Sequence, residues 1–179
     1  MSIGFRNKAA SENASAVGYG NNANALAASA VGYNNTAGGV GSSTIGYNNT
    51  ATNENASAFG YGNTAGGLAS SAFGFSNTAS GDNANAFGYN NIASGSKSNV
   101  FGTGNTVSGS SSTAVGTANE VAAENSTAIG NNNTISSGAE NSAALGNNIS
   151  ISLKDSVALG NNSTATAINS VTGNSSYTK

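Results

Sequence analysis

The stretch Asn125-Ser126-Thr127-Ala128-Ile129-Gly130-Asn131-Asn132-Asn133-Thr134-Ile135 decides the fold. A bulky aliphatic residue precedes a glycine, an asparagine follows that glycine by three, and an apolar residue follows by five. The same pattern recurs on both sides in one register. In this register, glycines preceded by a bulky aliphatic residue or Phe stand at 4, 18, 32, 46, 60, 74, 88, 102, 116, 130, 146 and 160. The spacing is 14 residues nine times in succession, then 16, then 14. With each of these glycines numbered 0, the chain carries twelve rungs.

Four columns share this register. Position −1 is always bulky and apolar, from Ile3 and Val17 through Phe59, Phe73, Phe87 and Phe101 to Leu145 and Leu159. Position −2 is mostly Ala, as in Ala16, Ala30, Ala58 and Ala72. Position +3 is Asn in ten consecutive rungs, from Asn7 to Asn133, and position +5 is apolar from Ala9 to Ala165. Internal self-similarity at a fixed period is the signature of a stacked repeat architecture.

A 14-residue unit is too short for two helices and a turn, and Asn, Ser, Thr and Gly are poor helix formers. The short apolar segments, rich in β-branched and aromatic residues, read as strands. Two short strands and two turns per rung make an all-β, parallel β-solenoid (a β-roll) of twelve rungs. Strand spacing of ~4.8 Å gives a rod roughly 60 Å long. Stacked identical positions form columns, so the asparagines at +3 are expected to hydrogen-bond along the stack as in cross-β ladders.

The segment from −5 to −1 carries apolar residues on both faces, because side chains alternate along a strand. Position −1 is bulky, and −2 and −4 are small. One face is expected to lie against the rung's own second strand. The other, taken to be the small Ala face, is expected to meet neighbouring chains. The chain is therefore read as part of an oligomer with a shared axis, intertwined or packed as a homotrimer.

Three segments carry a family resemblance: Asn125-Ser126-Thr127-Ala128-Ile129-Gly130, Asn141-Ser142-Ala143-Ala144-Leu145-Gly146 and Asp155-Ser156-Val157-Ala158-Leu159-Gly160. They resemble the NSVAIG-type repeats of YadA-like heads in trimeric autotransporter adhesins, and the likeness extends over about residues 1 to 169. The resemblance implies a trimeric, left-handed parallel β-roll used for surface adhesion. Related repeats occur in phage fibre proteins. A secretion signal, widened neck, heptad stalk and C-terminal barrel are not visible in this chain. It reads as a head alone, either a fragment or a small protein that is all head. The expected setting is extracellular, on a virion or a bacterial surface.

Composition narrows the functional classes. The chain has 179 residues, among them 31 Asn, 29 Ser and 16 Thr, but only 28 Val, Ile, Leu and Phe together. It has 5 basic and 7 acidic residues, so its polarity comes from amides and hydroxyls. With no Cys there is no disulfide frame or zinc–thiolate site, and with no His the commonest general base is missing. Five scattered cations do not make a phosphate-tracking groove, which argues against nucleic-acid binding. No apolar run approaches the roughly 20 residues that span a bilayer. The acidic residues of the outer turn, Glu12, Glu54, Asp82, Glu124 and Glu140, fall in separate rungs and no loop gathers several oxygens, so no catalytic carboxylate pair, metal site or cofactor site is expected. An enzyme is not expected.

Two features are candidate partner contacts. The first is an aromatic column at +1: Phe5, Tyr19, Tyr33, Tyr47, Tyr61, Phe75 and Tyr89, followed by Thr103, Thr117, Asn131, Asn147 and Asn161. It reads either as a stacking stripe for glycans or bases or as packing between chains or rungs. In the aromatic rungs +5 is Ala, and in the next four it becomes Val107, Val121, Ile135 and Ile151. That reciprocity favours packing, with +1 and +5 expected to fill one volume. The second feature is the two-residue insertion within Ser136-Ser137-Gly138-Ala139-Glu140, read as a tolerated bulge in the outer, charge-bearing turn and otherwise as a partner loop.

The resulting expectation is a non-enzymatic structural fibre or adhesion protein that presents a repetitive surface. Its partners would be two further copies, an undefined host-surface receptor or glycan, and another structural protein docked at one or both ends. The alternative is a glycan- or ice-binding solenoid. A Thr column at +4 raises the latter, although Ile92 and Glu120 interrupt it. Residues 1–169 are taken as one repeat domain. Residues 170–179 are taken as a degenerate last rung and tail.

Overall fold

From the second rung on, each rung begins with a strand whose residues alternate between two environments. In Ser57–Tyr61, Ala58 is fully buried, whereas Ser57, Phe59 and Tyr61 face outward and are half-buried or exposed. A two-residue strand, Thr64–Ala65, follows after a turn and repeats the alternation, with Ala65 inside and Thr64 outside. The computed structural model describes residues 1–166, and the expected thirteenth rung and tail lie outside them.

Twelve long strands, Ser2–Phe5 to Val157–Asn161, form one parallel sheet. Twelve short strands, Lys8–Ala9 to Thr164–Ala165, form a second. Neighbouring strands are successive rungs, and the register joins identical repeat positions: Ala58 to Ala72, Phe59 to Phe73, Gly60 to Gly74. Pairing continues through the turns, where Asn48 N–H donates to Tyr33 C=O at 3.0 Å and Asn55 N–H donates to Val40 C=O at 2.8 Å. Backbone pairing between rungs thus runs through the turns as well as the strands.

The structure reverses the expected orientation of the long strand. The small residues at −2 and −4 line the interior, and the bulky −1 residues point outward. Ala16, Ala30, Ala58 and Ala72 are fully buried, as are Ala28, Ala56 and Ala84 at −4. Ile45, Phe101, Ile129 and Leu145 are exposed. The reason is volume. A rung of 14 residues holds its two sheets so close that Ala, Ser, Asn and an occasional Val or Ile fill the space between them.

Position +5 also points inward, with Ala51, Ala65, Val107 and Ile135 all fully buried. The +1 rings stand on the outer face of the other sheet. The two columns therefore do not fill one volume within the chain, and their reciprocal sizes have no explanation in the structure.

The invariant glycine follows from the stack itself. Gly60 has φ +117°, and a Cβ there would lie 2.1 Å from the carbonyl oxygen of Gly74 in the next rung. No side chain fits that approach. Two further positions in each rung, +2 and +9, take left-handed backbone and are commonly Asn, which tolerates it best after Gly. Examples are Asn48 with φ 54° and Asn55 with φ 57°.

The +3 asparagines form the interior polar seam. Asn49 Nδ2 donates to Asn35 Oδ1 at 3.0 Å, to Ile45 C=O at 3.1 Å and to Gly60 C=O at 2.8 Å. Its Oδ1 accepts from the backbone N–H and from the Nδ2 of Asn63, both at 3.0 Å. The chain of amides runs from Asn7 to Asn133 and ends where Ile149 N–H donates to Asn133 Oδ1 at 3.0 Å. At the −4 column, Ser112, Ser126 and Ser142 each accept a backbone N–H from the next rung at 3.0–3.1 Å.

Candidate functional site

The outward face of the long-strand sheet carries two apolar columns side by side, because −1 and +1 are two residues apart on one strand. The +1 column is a continuous aromatic ladder. Ring centroids are 5.0 Å apart for Tyr19–Tyr33, 4.9 Å for Tyr33–Tyr47 and for Tyr47–Tyr61, and 5.2 Å for Phe75–Tyr89. Phe5 continues the ladder at one end, with the Arg6 guanidinium 5.3 Å from its ring centre and hydrogen-bonded to Tyr19 Oη at 3.2 Å. The −1 column holds a second ladder, Phe59–Phe73–Phe87–Phe101, with spacings of 4.7, 5.0 and 5.3 Å. Stacking at the rung spacing follows directly from a register that places like on like.

These rings are not enclosed by their own chain. Tyr33, Tyr47 and Tyr61 are 40%, 39% and 47% exposed, which places them on a surface. Ile45, Phe101, Val115, Ile129, Leu145 and Leu159 extend that surface to the last rungs. Two columns along a rod of this length present an apolar strip on the order of 500 Å², at the upper end of what a folded monomer leaves in water.

The face changes character along its length. Beyond Tyr89 the +1 position becomes Thr103 and Thr117, and then a ladder of exposed amides. Asn131 Nδ2 donates to Asn147 Oδ1 at 2.7 Å, and Asn147 Nδ2 to Asn161 Oδ1 at 2.8 Å. The strip is thus two apolar columns wide in the first seven rungs and one column wide in the last five.

Of the residues singled out from sequence, Tyr19, Tyr33, Tyr47, Tyr61 and Tyr89 lie together on this face. The insertion Ser136, Ser137, Gly138, Ala139, Glu140 does not join them and sits in the outer turn. There Ala139 is buried and keeps its N–H on Ser136 C=O at 2.9 Å, while Ser137 and Gly138 are exposed. Strand register passes the insertion undisturbed, with Ile129 paired to Leu145. Sequence reasoning missed the −1 residues as surface. The available signal was size, since Phe at −1 cannot share a 14-residue interior with Ala at −2, −4 and +5.

Among the described residues no group of three His, Cys, Asp or Glu is placed to hold a metal ion, and no helix is long and apolar enough to cross a membrane.

The stacked register makes this chain a parallel β-solenoid repeat protein with an apolar sheet face that its own chain leaves uncovered. The chain belongs to the YadA head domain repeat family. The family's model matches residues 1–21, 9–35, 37–63, 65–91, 108–133 and 154–171, well over half of the sequence. No curated protein matches the chain. Membership carries an adhesin-like structural role, typical of non-enzymatic proteins, and heads of this family are generally exposed at a surface.

Proposed function

We propose that the protein is a homotrimeric rod that acts by attachment, presenting its repeated turns outward while three long-strand faces meet along a common axis. The observation that carries this reading is the continuous apolar strip of the −1 and +1 columns. A strip of stacked rings and aliphatic side chains left in water by one chain is stabilised when it is covered, at about 25 cal/mol per Å² of apolar surface removed from solvent. Three identical chains related by rotation would cover it with the same columns, and closed symmetry limits the assembly to a discrete particle. On this reading the Tyr19–Tyr89 column packs between chains and is not a glycan stripe.

Burial of the strip leaves the polar turns and the short-strand face, with its Thr and Ser residues, as the outer surface. Such a rod would work on a bacterial cell surface or on a virion, with its receptor contacted by the outer surface and its ends joined to another structural protein. The test is small-angle X-ray scattering of the protein and of a Phe73→Glu/Phe87→Glu variant. The expected result is a rod whose mass per unit length corresponds to three chains, reduced to one chain by the paired charges. A single-chain cross-section for the unaltered protein would overturn the proposal.

A further inference from the structure

We propose that the exposed asparagines of the two turn columns are acceptor sites for N-linked glycosylation. Asn-x-Ser/Thr is the acceptor signature for attachment of sugar to an asparagine amide. In this fold the signature falls at two places. At +2 the acceptors are Asn34, Asn48, Asn132, Asn148 and Asn162, each with Thr or Ser two residues on. At +9 they are Asn13, Asn55 and Asn125. All eight side chains are exposed, and all eight residues have φ between 52° and 58°, in the left-handed region of a turn.

The repeat sorts asparagines into two populations. The ten of the interior ladder are each followed, two residues on, by the apolar +5 position, so none carries the signature. The turn asparagines are followed by an outward position of a strand. The hydroxyl residues that complete the signature, Thr36, Thr50, Thr134 and Ser150 at +4 and Ser15 and Ser57 at −3, are all partly exposed. Amide and hydroxyl therefore lie on one accessible side, where a transferase can read both.

Of the two further matches to the signature, Asn174-Ser175-Ser176 lies outside the described residues, and the other serves as an internal control. Asn161-Asn162-Ser163 places its hydroxyl inside the roll, where Ser163 is buried and donates to Leu159 C=O at 2.7 Å. Asn161 is exposed, but its hydroxyl is not available.

The chemistry is transfer from an activated sugar, either a nucleotide-sugar or a lipid-linked one. The amide nitrogen attacks the anomeric carbon, a C–N bond forms and the C–O bond to the phosphate leaving group breaks. The displaced amide proton passes to a base of the transferase. A modified amide keeps one N–H, so Asn132 can retain its hydrogen bond to Asn148 Oδ1, which is 2.8 Å long. The inference does not depend on the trimer.

The experiment is glycopeptide mass spectrometry, with electron-transfer fragmentation, on the full chain isolated from the cells that make it, beside a Thr50→Val variant expressed in the same cells. Valine suits an outward strand position, and circular dichroism confirms the fold. The expected result is hexose-type mass increments on turn asparagines, none on Asn161 or on ladder residues such as Asn49, and loss at Asn48 in the variant with Asn34 unchanged. An unmodified chain, sugar only on Ser or Thr, or modification of Asn48 that survives Thr50→Val would each overturn the proposal.

Discussion

Asn63 donates both its Nδ2 and its backbone N–H to Oδ1 of Asn49, one rung away, each at 3.0 Å. The amide of one buried side chain thereby stands in for a backbone partner of the next rung. Nine asparagines, from Asn21 to Asn133, repeat this arrangement inside a roll otherwise filled mostly by Ala and Ser. Burial of so many amides is tolerable because each is fully paired.

Removing one link should therefore be expensive. Asn63→Ala takes the Nδ2 donor from Phe59 C=O and Gly74 C=O, leaves the Asn77 N–H without its acceptor and removes one of the three acceptors of Asn77 Nδ2. At about 1–3 kcal/mol for each buried group left unpaired, a loss of ~3 kcal/mol or more is expected. Urea denaturation monitored by circular dichroism measures it. A midpoint equal to that of the unaltered chain would show that the ladder is not a principal source of stability.

Glycines of the two kinds should respond in opposite ways. Gly60→Ala sets a methyl 2.1 Å from Gly74 O, so local stacking must break and the thermal midpoint should fall sharply. Gly104 has φ +64° and open space around its Cα, so Gly104→Asn should be neutral or slightly stabilising. Equal losses at the two positions would contradict the stacking argument.

Some rungs hold a residue poorly matched to its backbone. Ala69 has φ 50° at position +9, where Asn is the commonest residue, as in Asn13, Asn55, Asn83 and Asn125. Left-handed backbone costs an L-residue with a Cβ roughly 1–2 kcal/mol, less for Asn. Ala69→Asn should raise stability by about 0.5–1 kcal/mol in the same denaturation experiment. A decrease would mean that the Ala69 methyl makes a contact that outweighs its backbone strain.

The insertion should be dispensable. Ser137 and Gly138 are exposed, and the flanking residues keep the turn's hydrogen bonds, including Asp155 N–H to Glu140 C=O at 2.9 Å. Deletion of the two restores the 14-residue spacing and should change stability by less than about 1 kcal/mol, because excision at an exposed turn disturbs little buried backbone. Loss of folding would give the loop a structural role it does not show.

Much of this was legible in the chain. The recurrence of glycine from Gly4 to Gly160 gives the rung, and the Asn7–Asn133 column gives the ladder, because a stacked register converts sequence period into physical columns. The direction of the side chains was not legible. Alternation places −1 and −2 on opposite faces but does not say which face is inside, and the habit of placing Phe and Leu in a core misleads for a roll this thin. Phe59 and Leu145 lie outside because the interior was already full of Ala58, Ala65 and Asn63 in one rung, and of Ala144, Ile149 and Ile151 in the other. The same misreading made Tyr33 and Ala37 look like partners in one volume, although they stand on different sheets with the interior between them.

The central claim is that the outer face of the long-strand sheet is covered by two further copies of the chain. Sedimentation equilibrium of the full chain over a wide concentration range tests it most directly. The account predicts a single species of three times the chain mass that persists on dilution. A stable, folded species of one chain mass across the range would contradict it.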